Sequence, residues 1–170
     1  AAVNIENAYH DIAGGQDFQS FDGICLTDTF QLGETDKGDE LFSPKFPQNS
    51  ERVLRQKDAP IRVIISNPPY SVGQKSANDN AQNQSYSKLD ARISSTYATQ
   101  TRATNKNSLY DSYFKAFRWS TDRIDDEHGG VICFVSNGSW IDGNAQDGFR
   151  KVIESEFSSI YVLNLRGNQR

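Results

Sequence analysis

The chain has 170 residues, 36% of them apolar, with 18 basic against 22 acidic side chains and a formal charge of −4. That length supports one domain with a core of its own, and the negative balance removes any general electrostatic reason to coat phosphate backbones. No apolar run approaches the ~18 residues needed to span a bilayer and no basic-then-apolar leader opens the chain, so a soluble, cytoplasmic protein without a membrane partner is expected.

The chain opens Ala-Ala-Val-Asn and contains no Met, so we expect a segment of a longer polypeptide. In residues 1–10 the spacing of Val3, Ile5, Ala8 and Tyr9 predicts the last turns of a helix, which Gly14-Gly15 stops. The short apolar run from Phe21 to Asp28 predicts a buried strand ending in an acid. Residues 33–60 mix charge, Gly and Pro and read mostly as loop, with a short helix at 48–57.

From Ile61 to Ser66 a β-branched run predicts a buried strand that stops at Asn67-Pro68-Pro69-Tyr70. Residues 71–107 are rich in Ser, Asn, Gln, Ala and Thr and carry almost no large aliphatic side chains. They are expected to supply no core. Lys75, Lys88, Arg92, Arg102 and Lys106 against Asp79 and Asp90 make this stretch +3, which suits either a disordered insertion or a loop that orders over a polyanion.

Leu109, Tyr113, Phe114, Phe117 and Ile124 then recur at helical spacing, with Ser108 as the expected cap. His128-Gly129-Gly130 turns the chain into a strand at 131–136, Asp142-Gly143 breaks the run, and Phe149, Val152, Ile153 and Phe157 predict a helix over 144–157. A last strand is expected at 159–165. Cys25 and Cys133 lie in strand-like runs and are expected to be buried free thiols. His10 and His128 have no partner at ligand spacing, so no metal site is expected.

Continuous apolar strands alternating with helices predict an α/β fold, a doubly wound and mostly parallel sheet. Ligands of such sheets gather at the carboxyl ends of the strands, where Asp28, Asn67 and Ser136-Asn137 would stand. Asn67-Pro68-Pro69-Tyr70 sits at such an edge, and its chemistry is coherent. An adenine amine is a weak nucleophile because its lone pair is delocalised into the ring. The Asn67 side-chain oxygen and the Pro68 carbonyl can accept from its two N–H groups and draw the nitrogen toward tetrahedral geometry. The prolines hold this acceptor pair extended, so the help is orientational and electrostatic, with no titrating group. Tyr70 offers a flat face on which a base swung out of the duplex can stack, a gain of about 1–3 kcal/mol. The plainer alternative is a strand-ending turn that uses Pro68 and Pro69 for their geometry alone.

IISNPPY (64–70) resembles the catalytic motif of amino-methyltransferases that use S-adenosylmethionine, most of all the adenine-N6-specific DNA branch. GICLTDTFQ (23–31), SLYDSYFKAFRW (108–119), GGVICFVSNGSWIDG (129–143), DGFRKVIESEF (147–157) and YVLNLRGNQR (161–170) resemble, in order, blocks of the methylase–helicase polypeptides of single-chain bacterial restriction–modification systems. Roughly two-thirds of the chain is covered. The resemblance implies a Rossmann-like methyltransferase fold, S-adenosylmethionine as cofactor, and a flipped adenine in DNA as substrate. It makes Asn67, Pro68, Pro69 and Tyr70 catalytic, Asp28 with Thr29 the cofactor-adenine contact, and Tyr113 an aromatic packing near that adenine. For Asp28 a loop-capping acid, and for Tyr113 ordinary helix packing, are the alternatives read from the residues themselves.

The same resemblance makes residues 1–170 the C-terminal portion of a methyltransferase catalytic domain in a bacterial cytoplasmic polypeptide. The glycine-rich cofactor loop, the acid for the cofactor ribose, the recognition domain and any helicase or nuclease domains are then expected elsewhere in the parent. The segment by itself is not expected to turn over. Two other readings share the motif: methylation of a protein glutamine or an RNA amine, and a non-catalytic DNA-binding or assembly module. Transfer to different acceptors separates the first, and loss of transfer on replacing Asn67 separates the second.

Overall fold

The computed structural model describes residues 2–14, 18–34, 46–69 and 85–165, and the chain divides into two compact units, 1–59 and 60–170. In the first unit, helix α1 (Ala2–Ala13) ends where Gly14 takes a φ of 72°, a left-handed position that costs glycine nothing. Helix α2 (Pro47–Asp58) begins with Pro47, whose missing N–H is not needed in a first turn. It ends with Arg55 and Lys57 against the negative pole of the helix. The expected helix at 48–57 is therefore present, one residue longer at each end. Residues 35–45 of that loop lie outside the described residues.

The strand expected at 21–28 is not formed. Leu26 is 69% exposed, and its backbone is satisfied by one side chain: the Leu26 N–H donates to Asn49 Oδ1 at 2.7 Å and Asn49 Nδ2 donates back to the Leu26 carbonyl at 2.9 Å. A carboxamide thus takes the two bonds that a neighbouring strand would supply. Arg52 pairs with Asp22 at 3.1 Å and the Phe21 N–H donates to Glu6, tying α2 and α1 to the same segment.

The second unit holds a parallel pair of strands, β1 (Val63–Ser66) and β2 (Val131–Phe134), in the register Val63↔Val131 through Ser66↔Phe134. Between them the chain passes through α3 (Ser87–Ser95), α4 (Tyr97–Gln100) and α5 (Ser112–Arg123), the helical crossover that parallel strands require. Helices α6 (Ser139–Asp142) and α7 (Asp147–Glu156) follow β2. Both strands fall where the sequence placed them, but they are not buried on both faces. Ile64, Ile132 and Phe134 are half-buried, with Phe134 against Phe117 of α5 at 4.8 Å, whereas Ile65 on the opposite face is 77% exposed. Cys133 shares that open face and Cys25 is half-buried, so both thiols are free as expected, yet neither is buried.

The larger departure concerns residues 85–107. Far from lacking core, this stretch contributes Ile93, Tyr97 and Ala98 to a cluster completed by Leu109, Tyr113, Phe114, Phe149, Val152 and Ile153. Few apolar residues suffice because α3 and α4 spend nearly all of them on one face. Gly148 lets α7 close on α4: a side chain there would collide with the backbone of Tyr97 and Thr101. Residues 71–84 of the expected insertion lie outside the described residues.

Helix α5 starts later than predicted. Residues Asn107–Tyr110 form a 3-10 turn, and Asp111, not Ser108, caps α5 by accepting from the Tyr113 N–H. One turn after Phe114, α5 also buries charge. Arg118, whose side chain is 2% exposed, reaches Asp122 at 2.7 Å and Glu156 of α7 at 2.9 Å, while Arg92 of α3 holds the other side of Asp122. Burial acts to raise the Asp122 carboxyl, but bonds from the two arginines outweigh it and hold the group below its ordinary value.

Residues 159–165, expected as a final strand, are irregular, with Leu163 85% exposed. Their composition suits a strand, but among the described residues no strand lies alongside to take their backbone groups. The described part of the second unit is thus a mixed helix and strand fold with a two-stranded parallel sheet, narrower than the doubly wound sheet predicted.

Candidate active site

The Asn-Pro-Pro run begins one residue beyond β1. The last ladder bond runs from the Val135 N–H to the Ser66 carbonyl at 3.0 Å, so Asn67 emerges at the carboxyl edge of the sheet. Asn67 and Pro69 are exposed and Pro68 between them is buried. Among the described residues no protein group bonds the Asn67 amide. Tyr70, the proposed stacking residue, lies outside the described residues.

Beside this edge, where the sequence placed Ser136 and Asn137, the chain leaving β2 builds a polar chain that joins Asn137 to Ser139 and Tyr113. Asn137 Oδ1 accepts from the Ser139 N–H at 3.0 Å and from Ser139 Oγ at 2.5 Å, and Ser139 Oγ meets the Tyr113 hydroxyl at 3.0 Å. Since the single Ser139 hydroxyl proton goes to Asn137, the Tyr113 phenol is the donor to Ser139. Burial pushes that phenol up to about 12, so it stays a protonated donor throughout the neutral range. Tyr113 is otherwise a core residue, 1% exposed, with its ring 4.0 Å from that of Phe114.

The platform under this loop is fastened from α7. Arg150 donates to the carbonyls of Trp140 and Gly143 at 2.8 and 2.9 Å, satisfying the end of α6, and Trp140 Nε1 donates to Ser136 Oγ at 3.3 Å. The signal available in the sequence was a polar Ser-Asn-Gly-Ser run directly after a strand, the position where α/β sheets expose ligand contacts.

Asp28 and Thr29 belong to the first unit and are exposed. Asp28 Oδ1 accepts from the Phe30 N–H at 3.0 Å, a local turn that fixes the direction of the carboxylate. An oriented, exposed carboxylate suits the exocyclic amine of an adenosine, and in that respect the residues present fit the expected cofactor. No helix of the described residues is long and apolar enough to cross a membrane.

A family model described as Eco57I restriction-modification methylase matches residues 6–169. Among solved structures, a nuclease-deletion mutant of the Type ISP restriction-modification enzyme LlaGI, in complex with a DNA substrate mimic, is 43% identical with a TM-score of 0.79, over 92% of this chain and 12% of that one. The ATP-dependent Type ISP restriction-modification enzyme LlaBIII bound to DNA is 47% identical with a TM-score of 0.77, over 90% of this chain and 10% of that one. A DrdV–DNA complex is 40% identical with a TM-score of 0.75, over 92% and 14%. The chain therefore spans about a tenth to a seventh of the length of these neighbours. No curated protein matches it.

Proposed function

The chain belongs to the Eco57I restriction-modification methylase family, and from that premise we propose that its parent transfers a methyl group from S-adenosylmethionine to the N6 amine of adenine in DNA. The observation that carries this reading is the exposed Asn67 amide, without a protein partner among the described residues, at the carboxyl end of a parallel strand and followed by a buried proline. When bound, the cofactor supplies a methyl carbon made electrophilic by its sulfonium. Asn67 Oδ1 and the Pro68 carbonyl accept from the two amine N–H groups, localise the nitrogen lone pair and take up the positive charge that develops there. Pro68 and Pro69 fix the backbone so that this pair needs no reorganisation during the reaction. Tyr70 stacks on the extruded base.

We further assign Asp28 and Thr29 to the adenine of the cofactor, with Tyr113 packing near it, within a Rossmann-like methyltransferase domain of which residues 1–170 form the C-terminal portion. DNA and the remainder of a longer parent are the partners, a reading supported by solved neighbours that are DNA complexes of much longer chains. The test is radiolabelled methyl transfer by the full-length parent to DNA, RNA and protein acceptors. Adenine in DNA should be the product, and Asn67→Ala should lower kcat by roughly 100- to 1000-fold, as for loss of one preorganised transition-state group. Unchanged transfer in that variant removes the two-acceptor mechanism, and label only in RNA or protein removes the substrate assignment.

A further inference from the structure

The Asn137 amide has a determined orientation. A backbone N–H can only donate, so the atom facing the Ser139 N–H must be Oδ1. The Ser139 hydroxyl occupies the same oxygen, and the Tyr113 phenol holds that hydroxyl in place. Asn137 therefore spends its acceptor on the protein and turns its Nδ2 group, with two N–H donors, the other way. Among the described residues no protein group accepts from Nδ2.

The register sets which residues leave the sheet together. Ser66 pairs with Phe134 and the Val135 N–H closes the ladder on Ser66, so Asn67 and Pro68 leave one strand as Val135 and Ser136 leave its neighbour, with Asn137 the next residue. Paired strands run about 4.8 Å apart. One strand end thus carries two acceptors for an amine, and the adjacent end carries a donor. This is the complement of a base edge that places an NH2 group beside an unprotonated ring nitrogen.

We propose that Asn137 is a substrate-reading residue whose Nδ2 donates to a ring nitrogen flanking the target amine, N1 or N7 of adenine, with Ser139 and Tyr113 as positioning residues that hold the amide in this sense. The inference rests on the adenine-methylation reading above. A base with a protonated ring nitrogen at that place opposes the Asn137 donors, so Asn137 contributes selectivity for an edge with an unprotonated ring nitrogen as well as rate.

The test uses the full-length parent and duplex DNA in which the target base is adenine, 1-deazaadenine or 7-deazaadenine. Asn137→Asp keeps an oxygen for both Ser139 bonds and replaces the donor by a second, charged acceptor, so it tests reading with the loop bonds retained; thermal unfolding confirms that the variant is folded. Wild type should lose about 10-fold or more in kcat/KM on one of the two deaza substrates, which identifies the nitrogen read. Asn137→Asp should lose at least as much on adenine, and its ratio to wild type should return toward one on that same deaza substrate. Equal activity of Asn137→Asp and wild type on adenine overturns the proposal, as does a loss of the same size on all three bases. Absence of wild-type transfer to adenine overturns instead the reading on which it rests.

Discussion

Truncating Phe149 should remove a large part of the stability of the second unit. Its side chain is fully buried and stands in edge-to-face contact with Tyr97 at 5.0 Å, Phe114 at 4.9 Å, Phe117 at 5.1 Å and Trp140 at 5.8 Å. It thereby joins α4, α5, α6 and α7. A buried Phe→Ala change costs about 3–5 kcal/mol through lost transfer energy and the cavity left behind. Each aromatic pair adds about 0.5–1.5 kcal/mol beyond area, so Phe149→Ala belongs at the upper end, about 4–5 kcal/mol. Phe149→Leu keeps most of the volume and loses the ring edges, which should cost about 1–2 kcal/mol. Urea unfolding followed by far-UV circular dichroism reads the difference. With a slope of about 2 kcal/mol per molar, the midpoint of Phe149→Ala falls by about 2 M. A loss under about 1.5 kcal/mol for Phe149→Ala, or equal losses for the two variants, would refute the assignment of Phe149 as the joint of the core.

Two further outcomes follow from the charged groups. The Asp147 carboxylate accepts from the Thr101 hydroxyl first, then from the backbone N–H groups of Arg102 and Gly148, which lowers it from 3.8 to about 2. Its folded pKa is depressed, so its contribution is complete above 3.8 and disappears as pH falls through about 2; the melting temperature of Asp147→Asn should therefore change less over that acid range than that of the parent chain. Arg118→Ala should destabilise by about 3 kcal/mol in chemical denaturation, the low end for a broken buried pair, because Asp122 and Glu156 stay 30% and 29% exposed and can be solvated. Arg118→Met should recover at least ~1 kcal/mol of this by filling the space, and equal losses in the two variants would locate the effect in charge alone.

Local elements were legible where the sequence carries its own period or its own stop. The β-branched run 61–66 ending at two prolines, the helical spacing around Phe114 and Phe149, and the glycine after α1 each specify local structure through short-range sterics. The same local logic misplaced the start of α5. Asp111 and Ser108 are both competent caps, and the intervening residues close into a 3-10 turn before the helix begins. Residues 85–107 looked too polar for a core because composition averages over faces, and only α3 packed on α5 shows that Leu89 and Ile93 share the buried one.

The site divides along the same line. The order Asn67-Pro68-Pro69-Tyr70 after a strand is a covalent fact, and with it came the acceptor chemistry and the family resemblance. The Asn137 amide is oriented by a bond two residues along, but the hydroxyl that holds the Ser139 side chain in place comes from Tyr113 of α5, 26 residues back in the chain, and no local pattern encodes such a meeting. Strands behave likewise: the runs at 21–28 and 159–165 have the composition of strands, but a strand exists only when a neighbour takes its backbone bonds. The chain by itself determined which residues are able to form each element and which can do chemistry; the tertiary structure decided which runs found partners, because hydrogen bonding across a sheet and burial of a face are properties of pairs.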